Sequence, residues 1–278
     1  MTHNSMTTSS ATFAGSIPLN YERYLGPLLF QPFAMDIAAR VRVPASGRVL
    51  EVACGTGIVT RQLRRTLPAA VPLVATDLNE PMIAFAAEQL GPMPGLAWRQ
   101  ADACALPFPD AEFDAVICQF GLMFVPDKAL ARREARRVLR PGGQLLFNVW
   151  DSMEENFYVR VAHDTIGSYF PHDPPTFFSV PFGMSDRDAT VAMIQAAGFA
   201  EIRAETVTLT GQSPSVDDIA NGLVRGTPIS AAIVERGTVP IDRIAAGVSE
   251  ALGRQAGADR PVRLKLQAHI FEARAPRS

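Results

Sequence analysis

The chain reads as an α/β fold, and three features of its first half carry that expectation. A turn with two glycines, Glu51-Val52-Ala53-Cys54-Gly55-Thr56-Gly57, joins the apolar run Arg48-Val49-Leu50 to a helical pattern beginning near Ile58. This is the strand-to-helix turn of a nucleotide-binding unit. A second apolar run, Val71 to Thr76, ends in Asp77, at about the 20-residue separation where the next strand of such a unit presents a carboxylate to ribose hydroxyls. Two further strand-like runs end at Asp102 and Gln119, so polar side chains recur where successive strands finish.

The turn sets the ligand class. Glycine at positions 55 and 57 lets a ligand approach the backbone where a Cβ would collide with it, and the amides opening the next helix can receive a carboxylate or phosphate. A dinucleotide fingerprint has a third glycine at position 60, where this chain has Thr60, so a Rossmann oxidoreductase is the lesser reading. Glu51 would repel a pyrophosphate but could hold an ammonium group, such as the one in the methionine part of S-adenosylmethionine. With these residues the chain resembles the class I S-adenosylmethionine-dependent methyltransferase family, whose first motif has the form E-x-x-C/G-G-x-G.

The resemblance implies that Glu51, Ala53, Gly55 and Gly57 frame the cofactor, with Asp77 on the ribose. Leu78 and Met82 follow where apolar surface can cover the adenine. The third strand, Leu96 to Ala101, ends at Asp102-Ala103; in the family the aspartate accepts from the adenine amino group and a neighbouring amide donates to the ring. One such acid would be a turn residue or helix cap. Three strand-end acids in register with one glycine turn are not explained that way.

The fourth strand, Phe113 to Cys118, leads to Gln119, a further cofactor residue, and to Phe120-Gly121-Leu122-Met123-Phe124. That segment is similar to the quinone C-methyltransferase branch, and natural-product O- and N-methyltransferases share it. A helix from about Pro126 to Leu139, a turn Arg140-Pro141-Gly142-Gly143 and a fifth strand Gln144 to Trp150 complete this half. The string from Arg137 to Gly143 again resembles the family. Arg132, Arg133, Arg136 and Arg137 read as a solvated helix face diluted by Asp127 and Glu134.

The remainder covers this core. Residues 17–278 are expected to form one domain: a helical cover over 17–46, a cofactor-binding half over 47–150, an aromatic substrate cap over 151–184, and a C-terminal half with a second helical cover over 211–260. Residues 1–16 are rich in Ser and Thr and read as a disordered lead. A helix around Tyr21 and Tyr24 should break at Gly26-Pro27, and a second should run to about Val41. Tyr21 is a candidate to line the site and orient the acceptor. Positions 151 to 182 hold Phe157, Tyr158, Tyr169, Phe170, Phe177, Phe178 and Phe182, a density that suggests a cap of which a minority touches substrate. His163, in that cap, is the candidate general base.

A helix over Ser185 to Ala197, a strand over Glu201 to Leu209 and an alternating run from Val262 to Ala273 close the chain. In the family the last strand is antiparallel and inserts beside the fifth and sixth. The resemblance therefore implies a Rossmann-like, seven-stranded, mostly parallel sheet with helices on both faces and helical cap insertions.

Composition bounds the partners. The 278 residues are 47% apolar and 19% charged, with net charge −2 and a pI near 6.1, which gives no electrostatic footprint for nucleic acid or anionic membrane. The three cysteines, Cys54, Cys104 and Cys118, read as small core side chains. No carboxylate or cysteine spacing suggests a metal. No apolar run is long enough to span a bilayer, and cytoplasm follows by default. The expected activity is in-line methyl transfer from S-adenosyl-L-methionine, giving S-adenosyl-L-homocysteine, to a small aromatic or apolar acceptor, by a monomer or homodimer. The alternative is a non-catalytic cofactor-binding scaffold or activator of a partner.

Overall fold

Strands with covered faces need apolar side chains on both sides, and the runs of the first half meet that demand. In a computed structural model that describes residues 17–256 and 260–277, β1 (Val49–Val52) and β2 (Leu73–Asp77) are buried throughout, and β4 (Phe113–Gln119) nearly so. β3 (Leu96–Gln100), at the sheet edge, is half-exposed. Helices α3 (Ile58–Thr66), α4 (Glu80–Leu90) and α5 (Lys128–Val138) connect these strands and lead into β5 (Leu139–Trp150). The lead at 1–16 lies outside the described residues.

The sheet has seven strands in the order β3-β2-β1-β4-β5-β7-β6. β1 pairs in parallel with both β2 and β4, and the chain winds outward in opposite directions from that pair. A crevice must open at their carboxyl ends, because the connections there diverge. β7 (Val262–Arg274) lies antiparallel between β5 and β6 (Ala200–Ser213), as the resemblance implies.

Two local expectations change. Arg140 to Gly143 belong to β5 rather than to a free turn: the Gly142 amide donates to the Ala275 carbonyl and the Ala275 amide to Gly143, each at 2.9 Å. The N-terminal helix does not break at Gly26-Pro27. α1 (Ile17–Asn20) passes through wide π-type turns over Tyr21–Phe30 into α2 (Gln31–Arg40). Wider turns relieve the clash of a proline ring with the preceding turn, and burial of Leu25, Leu28 and Leu29 favours continuing.

Arg132 overturns the reading of a solvated helix face. It is 1% exposed, its Nη1 donates to the Lys128 carbonyl at 2.8 Å, and its Nε and Nη2 find no partner among the described residues. Burial lowers its pKa. Arg137 behaves differently, pairing with Glu134 and Asp110.

The covers form one layer. α6 (Phe157–Ser168) and α8 (Val216–Arg225) both pack against α10 (Ile241–Ala256), and α8 packs against Tyr21–Phe30. Gly222 and Gly226 permit that approach: a Cβ on Gly222 would fall 2.5 Å from Leu25 Cδ2, and one on Gly226 3.1 Å from the Tyr21 nitrogen. α7 (Arg187–Ala196) and α9 (Ile229–Arg236) complete the described helices. His269 is buried in β7 against Thr206 and Ser185, as a structural residue would be.

Candidate active site

The glycine turn is held in a left-handed shape that one residue type adopts without strain. Ala53, Gly55 and Gly57 have φ of 56°, 55° and 83°. Asp77 fastens this turn to the end of β2: its carboxylate accepts from the Gly55 amide at 2.9 Å and from the Asn79 amide at 2.8 Å. A Cβ on Gly55 would meet nothing within 4 Å, so this glycine faces open space. Gly57 does not. A Cβ there would fall 3.1 Å from Ala86 Cβ and 3.2 Å from Leu90 Cδ1, so Gly57 seats α4, and it lines neither the cleft at the strand ends nor the pocket adjoining it.

Glu51 lies beneath the turn, 2% exposed, and accepts from Thr60 Oγ1 at 2.7 Å. Thr60 thus stands where a dinucleotide site has glycine, with its hydroxyl committed to the strand below. Burial pushes the Glu51 carboxyl up to about 8, although the Thr60 hydrogen bond favours the charged form and Asp77 opposes it. Burial raises Asp77 as well, against the amides that stabilise its charge.

A cleft of about 230 Å³ opens at the strand ends. It is lined by Ala53 and Gly55 from the turn, Asp77, Leu78 and Met82 after β2, Asp102 and Ala103 after β3, and Gln119 at the end of β4. Met82 is buried and Leu78 is 53% exposed. One Asp102 oxygen accepts from the Cys104 amide at 2.8 Å. An adjoining pocket brings Glu51, Thr56 and Gln119 together. Gln119 Nε2 donates to the Phe30 carbonyl at 3.2 Å, but its Oε1 is buried with no partner among the described residues. A buried acceptor of this kind costs about 1–3 kcal/mol unless a donor reaches it, and an ammonium group would.

A second cavity, of about 70 Å³, shares Tyr21, Phe120 and Phe124 with the cleft. Phe120 carries a left-handed φ of 51°. Its amide donates to Asn148 Oδ1 at 3.0 Å, and its ring stacks on Trp150 at 3.9 Å. Gly121 leaves room for this arrangement, since a Cβ there would lie 2.4 Å from Ala53 Cβ. Tyr21 stacks on Phe30 at 4.6 Å. Burial keeps its hydroxyl protonated, and Glu22 and Asp77 act in the same direction. Next to it, Glu22 accepts from Thr56 Oγ1 at 2.6 Å and pairs with Arg61 at 3.0 Å, tying the N-terminal helix to the glycine turn.

Of the seven cap aromatics, Phe177, Phe178 and Phe182 reach this cavity, while Tyr158 is fully buried elsewhere. His163 reaches neither cavity. It sits half-buried on α6 with its Nδ1 unpartnered among the described residues, so it cannot take a proton from a ligand bound there. Trp150, Leu223 and Thr227 line the cavity without having been singled out. Trp150 closes a strand, Leu223 lies in α8 (Val216–Arg225) and Thr227 in the bend that follows it, so no local pattern marks them.

The fold and cleft define a class of α/β protein that binds a charged nucleoside derivative at the strand switch point. Residues 50–147 match the family model described as a methyltransferase domain. The ubiquinone/menaquinone biosynthesis C-methyltransferase UbiE of Saccharophagus degradans is 30% identical over 194 residues, covering 65% of this chain and 76% of the relative. UbiE of Escherichia coli (strain K12 / DH10B) is 32% identical over 187 residues, covering 63% and 73%. Among solved structures, YcgJ of Bacillus subtilis superposes with a TM-score of 0.57 at 18% identity, covering 89% of this chain and all of that one. A Haemonchus contortus phosphoethanolamine N-methyltransferase with S-adenosylhomocysteine gives 0.59 at 17%, covering 93% and 57%; these two show the fold. The chain belongs to the S-adenosylmethionine-dependent methyltransferase family. No helix among the described residues is long and apolar enough to cross a membrane.

Proposed function

We propose that the protein methylates a small apolar or aromatic acceptor held in the aromatic-walled second cavity, with S-adenosylmethionine in the adjoining cleft. The observation that carries this reading is the shared wall: Tyr21, Phe120 and Phe124 border both spaces, so two ligands would meet there. Bound S-adenosylmethionine supplies a methyl already activated on a sulfonium. The residues then have to hold and align. Asp77 offers its remaining lone pairs to the ribose hydroxyls, and Asp102 and the Ala103 amide address the adenine between Leu78 and Met82. Gln119 Oε1 and Glu51 receive the ammonium.

Alignment of reacting atoms at about 3 Å with water excluded supplies most of the acceleration for such a displacement. The aromatic wall provides both. The UbiE relatives are named for C-methylation in quinone biosynthesis, which supports a flat acceptor.

Calorimetric titration with S-adenosylhomocysteine tests the cleft. Asp77→Ala should weaken binding by about 1.5–3 kcal/mol, the value of a hydrogen bond to a charged group, or roughly 10- to 150-fold. Equal affinity in the two proteins would remove the ribose assignment.

A further inference from the structure

The charge around these cavities has one sign. Asp77 and Asp102 line the cleft and Glu51 the adjoining pocket, and among the described residues no Lys, Arg or His lines either of them or the acceptor cavity. Among the described residues the acceptor cavity has no charged lining residue. Of its lining side chains Tyr21, Trp150 and Thr227 carry a polar group, and Thr227 Oγ1 donates to the Leu223 carbonyl at 2.9 Å.

That environment discriminates among nucleophiles. A phenolate would leave water for an apolar space whose neighbouring charges are carboxylates, with no cation to offset its desolvation. A neutral phenol would keep its proton, because none of the described side chains lining that cavity is a competent base. Methylation at a ring carbon must also shed a proton. An uncharged amine needs none of this, and the faces of rings such as Phe177 and Phe124 attract the cation it becomes.

We infer that the acceptor is an uncharged tertiary or heteroaromatic amine on an apolar scaffold, methylated on nitrogen. The inference rests on the assignment of the two cavities made above. The nitrogen lone pair forms the N–CH3 bond as the S–CH3 bond breaks, and the electron pair of the broken bond stays on sulfur. Positive charge passes from sulfonium to ammonium, so no proton moves and no charge is created or annihilated. The acids at the cleft favour a cation on either side of the step.

The test uses isosteric probes on the full chain saturated with S-adenosylhomocysteine. N-methylisoquinolinium should bind at least about tenfold more tightly than 2-methylnaphthalene, within the roughly 2- to 30-fold range of cation–π attraction. Phe177→Leu should weaken both probes, because the ring lines the cavity, and should weaken the cationic one more, so that the preference falls. With S-adenosylmethionine, isoquinoline should be methylated faster than 2-naphthol at neutral pH. Equal or tighter binding of the neutral probe, or faster methylation of the naphthol, would overturn the inference and leave the acceptor cavity standing. Binding of neither probe, with S-adenosylhomocysteine still bound, would remove the acceptor cavity of the proposed function and this inference with it.

Discussion

Glu51 offers the sharpest test of the cofactor site, because its protonation should be coupled to binding. With its carboxyl pushed up to about 8 by burial, roughly 1% of the free protein carries the charged form at pH 6, about 9% at pH 7 and half at pH 8. If the ammonium of the ligand binds the carboxylate, affinity should rise about tenfold from pH 6 to 7 and about fivefold more by pH 8. It should fall again at higher pH, once the ligand's amino group loses its proton. Close to one proton should be released per ligand bound at pH 7, visible by calorimetry with S-adenosylhomocysteine in buffers of different ionisation enthalpy. Glu51→Gln should flatten the acid limb and abolish the release. Stability carries the matching sign. A carboxyl raised from 4.5 to about 8 on folding contributes fully below pH 4.5, and that contribution is lost as pH climbs through 8. The free protein should therefore melt lower at pH 8 than at pH 6, and Glu51→Gln should lessen the difference. Affinity independent of pH between 6 and 7.5, with no proton release, would refute the pairing of Glu51 with the ammonium.

Three further outcomes follow from the packing. Glu22→Ala removes the contacts to Thr56 and Arg61; at about 1 kcal/mol for such a net contribution, KM for S-adenosylmethionine should rise roughly fivefold. Glu22→Gln, which keeps an acceptor for Thr56, should restore part of the loss in steady-state kinetics. Gly121→Ala places a methyl 2.4 Å from Ala53 Cβ, and overpacking of about 1–3 kcal/mol should lower the Tm by several degrees in a calorimetric scan. Arg132→Met replaces a buried guanidinium that lacks an acidic partner among the described residues. Such exchanges are neutral or stabilising by about 1–4 kcal/mol, so the midpoint in urea should rise; a large fall would mean that the charge has a partner.

Much of the cofactor side was legible because its signals are local. Apolar runs of strand length, the Gly55 turn and the acids at positions 77 and 102 each follow from backbone geometry within a few residues, and the parallel order then brings the strand ends together. Gly57 shows the limit of that logic: in sequence it is the twin of Gly55, yet α4 docks on it and it lines neither the cleft nor the adjoining pocket. His163 shows the same limit for catalysis, since proximity in sequence to aromatic residues says nothing about which way its helix turns.

The sequence by itself determined the α/β order, the cofactor class and the strand-end residues, because periodicity and turn chemistry act over short windows. Only the tertiary structure decided the aromatic-walled cavity, which draws on the N-terminal helix, the ends of β4 and β5, residues 151–184 and α8, segments that no local pattern relates. It also decided that the helix runs on through Pro27 and that Arg132 is buried. The physical reason is common to all three. Burial belongs to the docking of one element on another, and a chain read residue by residue carries the propensity of each element but not the surface it will meet.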